Sequence, residues 1–203
     1  MNITALVDLH LETYLIHENR SRSEFQILDN QIKLNQDLQD RRNFTGHVTS
    51  SFALLNTEYS HLLMIHHLGF DKWLFPGGHY EGDVSPRASA LRELTEETGF
   101  PSELVGYLNP IGYIALDLDT HPIPARPHKN ESAHYHHDFL YLGKATQSDV
   151  HLAPQLDEVA EVRWISLEEA RELPGARTRR VVDKIISTLE QMSDPMSDYP
   201  LDL

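Results

Sequence analysis

Glu93, Glu96 and Glu97 recur at spacings of three and four in "RELTEE", the intervals that return side chains to one face of a helix. Glu93 and Glu97 are like charges one turn apart. Arg92 is placed to reach Glu96 at i+4 but cannot neutralise all three. A hard divalent cation can, because carboxylates, a backbone carbonyl and water are the ligands that magnesium or manganese accepts. An isolated acidic helix face is usually just solvated. Here it follows Gly77-Gly78 at the end of the apolar stretch "KWLF". Two glycines at that point allow a tight turn and close approach of backbone, so that loop carbonyls can face the helix and complete a metal shell.

A second constellation lies in "LDLDTHPIPARPHKNESAHYHHDF". Strand alternation puts Asp117, Asp119 and His121 on one face, and His134, His136 and Asp138 on another. The two runs can pair antiparallel across the Pro-rich loop, which carries Arg126, His128 and Lys129. Three readings compete: carboxylate-held histidines beside a bound phosphate group, a separate transition-metal site, or polar pairs along a sheet. The expectation taken forward is the first, with Arg126, Lys129, His134 and His136 binding substrate, since a phosphorylated ligand needs cations that the rest of the chain lacks.

The elements that must hold these groups follow from pattern. Residues 1–42 read as one or two helices, with a capping box at Ser21 to Glu24 and an apolar face of Phe25, Leu28, Ile32 and Leu38. "FTGHVTSSFALLN", "HLLMIHH" and "KWLF" read as strands. A helix is predicted over 86–98, with Ser85 as N-cap, Pro86 in the first turn, Gly99 just past the end and Pro101 blocking continuation. "LVGYLNPIGYIALDLD", "HYHHDFLYLGKA" and "EVAEVRWISL" read as strands, "HPIPARPHKNESA" as a loop, and "LEEARELP" and "RTRRVVDKIISTLEQM" as helices. Arg177, Arg179 and Arg180 read as the solvated basic end of the last helix. Trp73 and Trp164 read as core residues. The result is an α+β domain at 43–193, an N-terminal helical extension at 1–42 and a tail at 194–203.

Composition narrows the function. The 203 residues carry a formal net charge of −14, a poor basis for gripping a nucleic-acid backbone. There is no cysteine, hence no thiolate chemistry and no disulfide. No apolar run approaches the ~20 residues of a membrane helix and the N-terminus is a poor signal peptide, so the expected location is cytoplasmic, with neither nucleic acid nor membrane as partner. The N-terminal helices offer a surface for a homodimer.

"GGHYEGDVSPRASALRELTEETGF" resembles the Nudix box, G-x5-E-x7-R-E-U-x-E-E-x-G-U, where U is a bulky apolar residue. Gly78, Arg92, Glu93, Leu94, Glu96, Glu97, Gly99 and Phe100 fill their positions. Val84 stands where the first glutamate belongs, with Glu81 and Asp83 close by to substitute. The histidine-rich segment, with "GGH" and "HPIPA", is similar to a bacterial subgroup of the same family. The resemblance implies an α/β/α sandwich with a mixed sheet. It implies an enzyme that uses Mg2+ or Mn2+ to cleave the diphosphate linkage of a nucleoside diphosphate-linked small molecule by attack of water at phosphorus. It makes Glu93, Glu96, Glu97 and the Gly77 carbonyl the metal ligands and Arg92 the group that orients the carboxylates. Glu158, in "DEVAEVRW", is the candidate general base. Val84 sustains a competing reading, a non-catalytic ligand-binding or regulatory module with a degenerate box.

Overall fold

The structure is a computed structural model that describes residues 3–108, 114–127, 130–154 and 157–193. Eight strands form one mixed sheet: β1 (His47–Leu55), β2 (His61–His67), β3 (Lys72–Leu74), β4 (Gly77–His79), β5 (Val105–Tyr107), β6 (Asp117–Ile123), β7 (His134–Ala145) and β8 (Val159–Ser166). The backbone order is β3-β2-β1-β7-β5, with β4 paired to β1, β6 to β7 and β8 to β2. β1 and β7 run parallel in an unbroken register from His47↔His136 to Leu55↔Lys144. The helices are α1 (Ile3–Glu18), α2 (Gln26–Lys33), α3 (Pro86–Thr98), α4 (Leu167–Glu172) and α5 (Ala176–Ser193). None among the described residues is long and apolar enough to cross a membrane.

The strand period of two sorts the core into layers. Val48, Phe52 and Leu54 of β1 pack with Ala90 and Leu94 of α3 and with Val7, Leu11 and Tyr14 of α1. Ala53 and Leu55, on the opposite face, pack with Ala170 of α4 and with Val181, Val182 and Ile185 of α5. β1 is therefore buried on both sides, which is why "HVTSSFALL" lacks a polar stripe at its C-terminal end. The expected α+β sandwich is the one observed.

Local signals account for α3. Ser85 Oγ accepts from Ala88 N at 3.1 Å, Pro86 occupies the first turn, and Gly99 closes the helix in the left-handed region at φ 73°. A Cβ on Gly99 would also meet Ala153 N at 2.4 Å, so the glycine both ends the helix and lets the 150–154 loop lie across it. The capping box at Ser21 is formed, but it opens a short 3-10 turn, Arg22–Phe25, that leads into α2. Trp73 and Trp164 are half-buried against the two core layers rather than enclosed.

Three expectations on strands and loops change. "LVGYLNPIGYIALDLD" yields two strands, β5 and β6, with residues 109–113 outside the described residues. β6 runs on through His121, Pro122 and Ile123, past the point where the sequence predicts a loop. Pro122 is tolerated because, among the described residues, β6 pairs only with β7 and lies at an edge. The Gly-Gly turn is itself a short strand, β4, antiparallel to β1 with Ser51↔Gly77, Ser50↔Gly78 and Thr49↔His79. The tail at 194–203 lies outside the described residues.

Candidate active site

β4 brings the glycines against α3. A Cβ on Gly78 would stand 2.5 Å from Glu93 Oε1, and one on Gly77 would stand 2.5 Å from Ser51 Oγ and 2.6 Å from the Ser50 carbonyl. Only glycine lets this strand slide between β1 and the acidic helix. Gly77 N–H donates to Glu97 Oε2 at 2.7 Å. Both carboxylates thus meet the backbone of the strand that the sequence places before them.

The three glutamates occupy unequal environments. Glu97 is buried and Glu93 half-buried, while Glu96 is exposed. Burial pushes the Glu93 carboxyl up to about 7, although the adjacent Arg92 opposes the shift. Burial pushes Glu97 up to about 8 against the Gly77 hydrogen bond, with the charges of Glu93, Glu158 and Glu96 adding to the rise. Arg92 works as a hub: Nη1 donates to Glu93 at 3.0 Å and Glu96 at 2.8 Å, and Nη2 donates to the His79 carbonyl at 2.9 Å and to Asp83 at 3.3 Å. Among the described residues no cation pairs with Glu97. Two desolvated carboxylates with an incomplete countercharge form an oxygen-rich set that fits a hard divalent cation.

The predicted residues fall as follows. Arg92, Glu93, Glu96, Glu97 and Gly77 come together at the β4–α3 junction. Glu158 is exposed at the start of β8, and its charge reaches Glu97. Val84 is 89% exposed, whereas Asp83 lies against Arg92. Arg126 is bridged to Glu131 and its guanidinium lies 4.8 Å from the ring centroid of Phe70. Lys129 and His128 lie outside the described residues.

The histidine hairpin forms with the predicted faces. β6 and β7 pair antiparallel, with Asp119↔Asp138, His121↔His136 and Ile123↔His134. Its neighbours could not be read from the chain. Parallel pairing with β1 sets His47 beside His136, and β4 sets His79 across from Thr49. His134 Nδ1 donates to the Ser132 carbonyl at 2.7 Å, and its Nε2 lies 3.2 Å from His136 Nε2. His47 is buried, with Nδ1 3.4 Å from the Asn43 carbonyl. Its Nε2 is buried and has no partner among the described residues, a situation that costs on the order of 1–3 kcal/mol. Burial lowers His47 to about 4 and His79 to about 3, and it lowers His136 further.

The acids of the hairpin are occupied by α5, which corrects the reading of a solvated basic helix end. Arg177 Nη2 donates to Asp138 at 2.5 Å, and Asp138 also accepts from Thr49 Oγ1 and Ser51 Oγ, each at 2.8 Å. Arg180 pairs with Asp117 at 2.8 Å and Asp119 at 3.0 Å. Among the described residues only Arg179 of the three is exposed without an ion-pair partner. The i, i+3 spacing of Arg177 and Arg180 was the available signal, since it puts both on one helical face.

A family model described as the NUDIX domain matches residues 46–184. The chain is 36% identical over 142 residues to a Lactococcus lactis protein named "Probable DHNTP pyrophosphohydrolase", covering 69% of this chain and 71% of that one. It is 28% identical over 124 residues to an RNA pyrophosphohydrolase of Cereibacter sphaeroides, covering 57% and 72%. Among solved structures, a C. elegans Ap4A hydrolase in binary complex superposes with a TM-score of 0.53 at 15% identity, over 70% of this chain and 97% of that one. That last likeness speaks to the fold alone.

Proposed function

Because the chain belongs to the Nudix family of diphosphohydrolases, we propose that it cleaves the diphosphate linkage of a nucleoside diphosphate derivative or a close chemical relative, with Mg2+ or Mn2+ as cofactor. The observation that carries this reading is the clamp of Gly77 and Gly78 onto Glu93 and Glu97, which holds two carboxylates out of water with too little countercharge. Glu93 and Glu97 would be the principal metal ligands, with Glu96 and the Gly77 carbonyl contributing. The cation, when bound, supplies charge neutralisation of the diphosphate and a lowered pKa for attacking water.

The chain's own residues do the positioning. Arg92 fixes Glu93, Glu96 and Asp83 through its fork and holds the His79 carbonyl, which locks β4 against α3. Gly77 N–H sets the Glu97 carboxylate. Glu158 takes a proton from water as it attacks one phosphorus; the bridging P–O bond breaks and the other phosphate leaves. Similarity to the protein named for DHNTP makes that triphosphate a compound to try alongside nucleoside diphosphate derivatives. The test is a substrate panel with purified protein, read by release of phosphate, pyrophosphate or nucleotide. Turnover that requires Mg2+ or Mn2+ and falls by at least ~100-fold in Glu97→Gln, as for loss of a preorganised catalytic group, is expected. Metal-independent turnover, or full activity in Glu97→Gln, would defeat the assignment.

A further inference from the structure

We infer that His47, His79 and His136 form a second metal site, for a borderline divalent ion such as zinc, on the sheet face opposite the acidic helix. Each contributes one ring nitrogen, and the three ligand atoms lie within 4.8 Å of one another. The ring centroids make a near-equilateral triangle, 5.1 Å for His47–His79, 4.8 Å for His47–His136 and 5.2 Å for His79–His136. Three strands supply one ligand each: β1, β4 and β7. Tetrahedral zinc at ~2.0 Å from each nitrogen needs those nitrogens about 3.3 Å apart, so small side-chain rotations close the set. Among the described residues it is the one grouping of three histidine or acidic side chains with ligand atoms this close.

Two further observations point to an ion. His47 Nε2 is buried without a hydrogen-bond partner, while its other nitrogen faces the Asn43 carbonyl. That is the arrangement of a metal-binding imidazole, whose N–H is held by a carbonyl and whose other nitrogen keeps a lone pair free for a metal ion. His47 is also buried and His79 and His136 are half-buried, so the three rings sit largely out of solvent. His134 borders the set, with Nδ1 tied to the Ser132 carbonyl and Nε2 3.2 Å from His136 Nε2. Nitrogen-only donors favour zinc over magnesium, which keeps this site chemically distinct from the carboxylates of α3. Arg41 and Arg126 lie near enough to oppose the protonation of His79. Affinity therefore has to come from coordination rather than from a negative field.

The test uses the full chain, stripped with a chelator and titrated with Zn2+ alone and Co2+ alone. One equivalent should bind with micromolar or tighter affinity and survive dialysis against Mg2+. Co2+ should give the intense visible bands of a tetrahedral site, and X-ray absorption of the zinc form should show imidazole nitrogen as the protein donor. His136→Gln and His79→Asn should each weaken binding at least 100-fold, whereas Glu97→Gln should keep it. Failure to bind Zn2+ or Co2+ stoichiometrically, carboxylate-dominated absorption, or binding lost in Glu97→Gln and kept in the histidine variants would overturn the proposal. The absorption measurement decides the matter on the unmodified chain, so a histidine variant that fails to fold does not shelter it.

Discussion

Val84 occupies the one position where the box departs from its pattern, and its side chain points to water at 89% exposure. A carboxylate there would be solvated and screened. The neighbour Asp83 instead takes two donors from Arg92, Nε and Nη2, both at 3.3 Å. Its backbone carbonyl also accepts from Tyr80 Oη, which pins the turn. Glu81 adds only a charge felt at Glu93. We propose that Asp83 is the stand-in, acting through Arg92 on Glu93 and Glu96 as a positioning residue. Val84→Glu should change kcat/KM by less than about 3-fold. Asp83→Asn should lower it roughly 10-fold, or about 1.4 kcal/mol, chiefly in kcat, with Asp83→Glu restoring part of the loss. A rise of orders of magnitude in Val84→Glu would mean that the natural box is incomplete and the substitution idea is wrong.

α5 shows how an element can be placed correctly and its chemistry misjudged. Its extent was legible, but the destination of Arg177 and Arg180 was not, because the acids they meet sit 39 to 63 residues away on β6 and β7. The same distinction runs through the site. α3, its caps, the close approach of Gly77-Gly78 and the β6–β7 pairing all rest on local patterns and form, although the glycines lie in a strand rather than a turn and β6 runs past the expected loop boundary. The addition of His47 and His79 to the hairpin depends on a parallel β1–β7 pairing and a three-residue β4, and no local pattern encodes a nonlocal parallel register. The energetic consequence at α5 can be measured. Asp138 has only 4% of its side chain exposed, and Arg177 is the cation that compensates it. Arg177→Met leaves that carboxylate with its two hydroxyl donors and no countercharge, a change that should cost roughly 2–4 kcal/mol. Arg179→Met should stay within about 0.5 kcal/mol. Urea melts of the two variants check this; equal, small effects would restore the picture of a solvated basic end.

At the scale of the molecule, the N-terminal helices share the main core rather than forming an appendage. Tyr14, Phe25 and Leu28 are buried with Phe52 and Phe139, Gln31 donates to the Gly46 carbonyl at 2.8 Å, and Gln31 Oε1 lies 2.8 Å from His137 Nε2. Titrations on both faces of the sheet therefore report on one cooperative unit, and their signs are opposite. His47, His79, His136 and His137 are all lowered from an ordinary 6.5 by burial. Below pH 6.5 the unfolded chain takes up protons that the folded chain refuses, so their contribution is lost as pH falls. Glu93 and Glu97 are raised from 4.5 to about 7 and about 8. The folded chain holds their protons after the unfolded chain has released them, so their contribution is complete below 4.5 and is lost as pH rises through 7 and 8. Between 4.5 and 6.5 four histidines oppose two glutamates and stability climbs with pH; above 6.5 the histidine contribution fades and the glutamates prevail. Chelator-treated protein should thus be most stable near pH 6.5. It should lose about 1 kcal/mol by pH 8.5, or roughly 2–4 °C in Tm. Magnesium binds only the deprotonated carboxylates, so millimolar Mg2+ should raise Tm little at pH 6 and progressively more toward pH 8.5, flattening the alkaline limb. Glu97→Gln should remove most of that limb and most of the magnesium effect together. Thermal melts of the wild type and this variant across the pH range, with and without Mg2+, check the account. An alkaline limb that persists in Glu97→Gln would place the titrating groups elsewhere and detach the burial of Glu97 from metal binding.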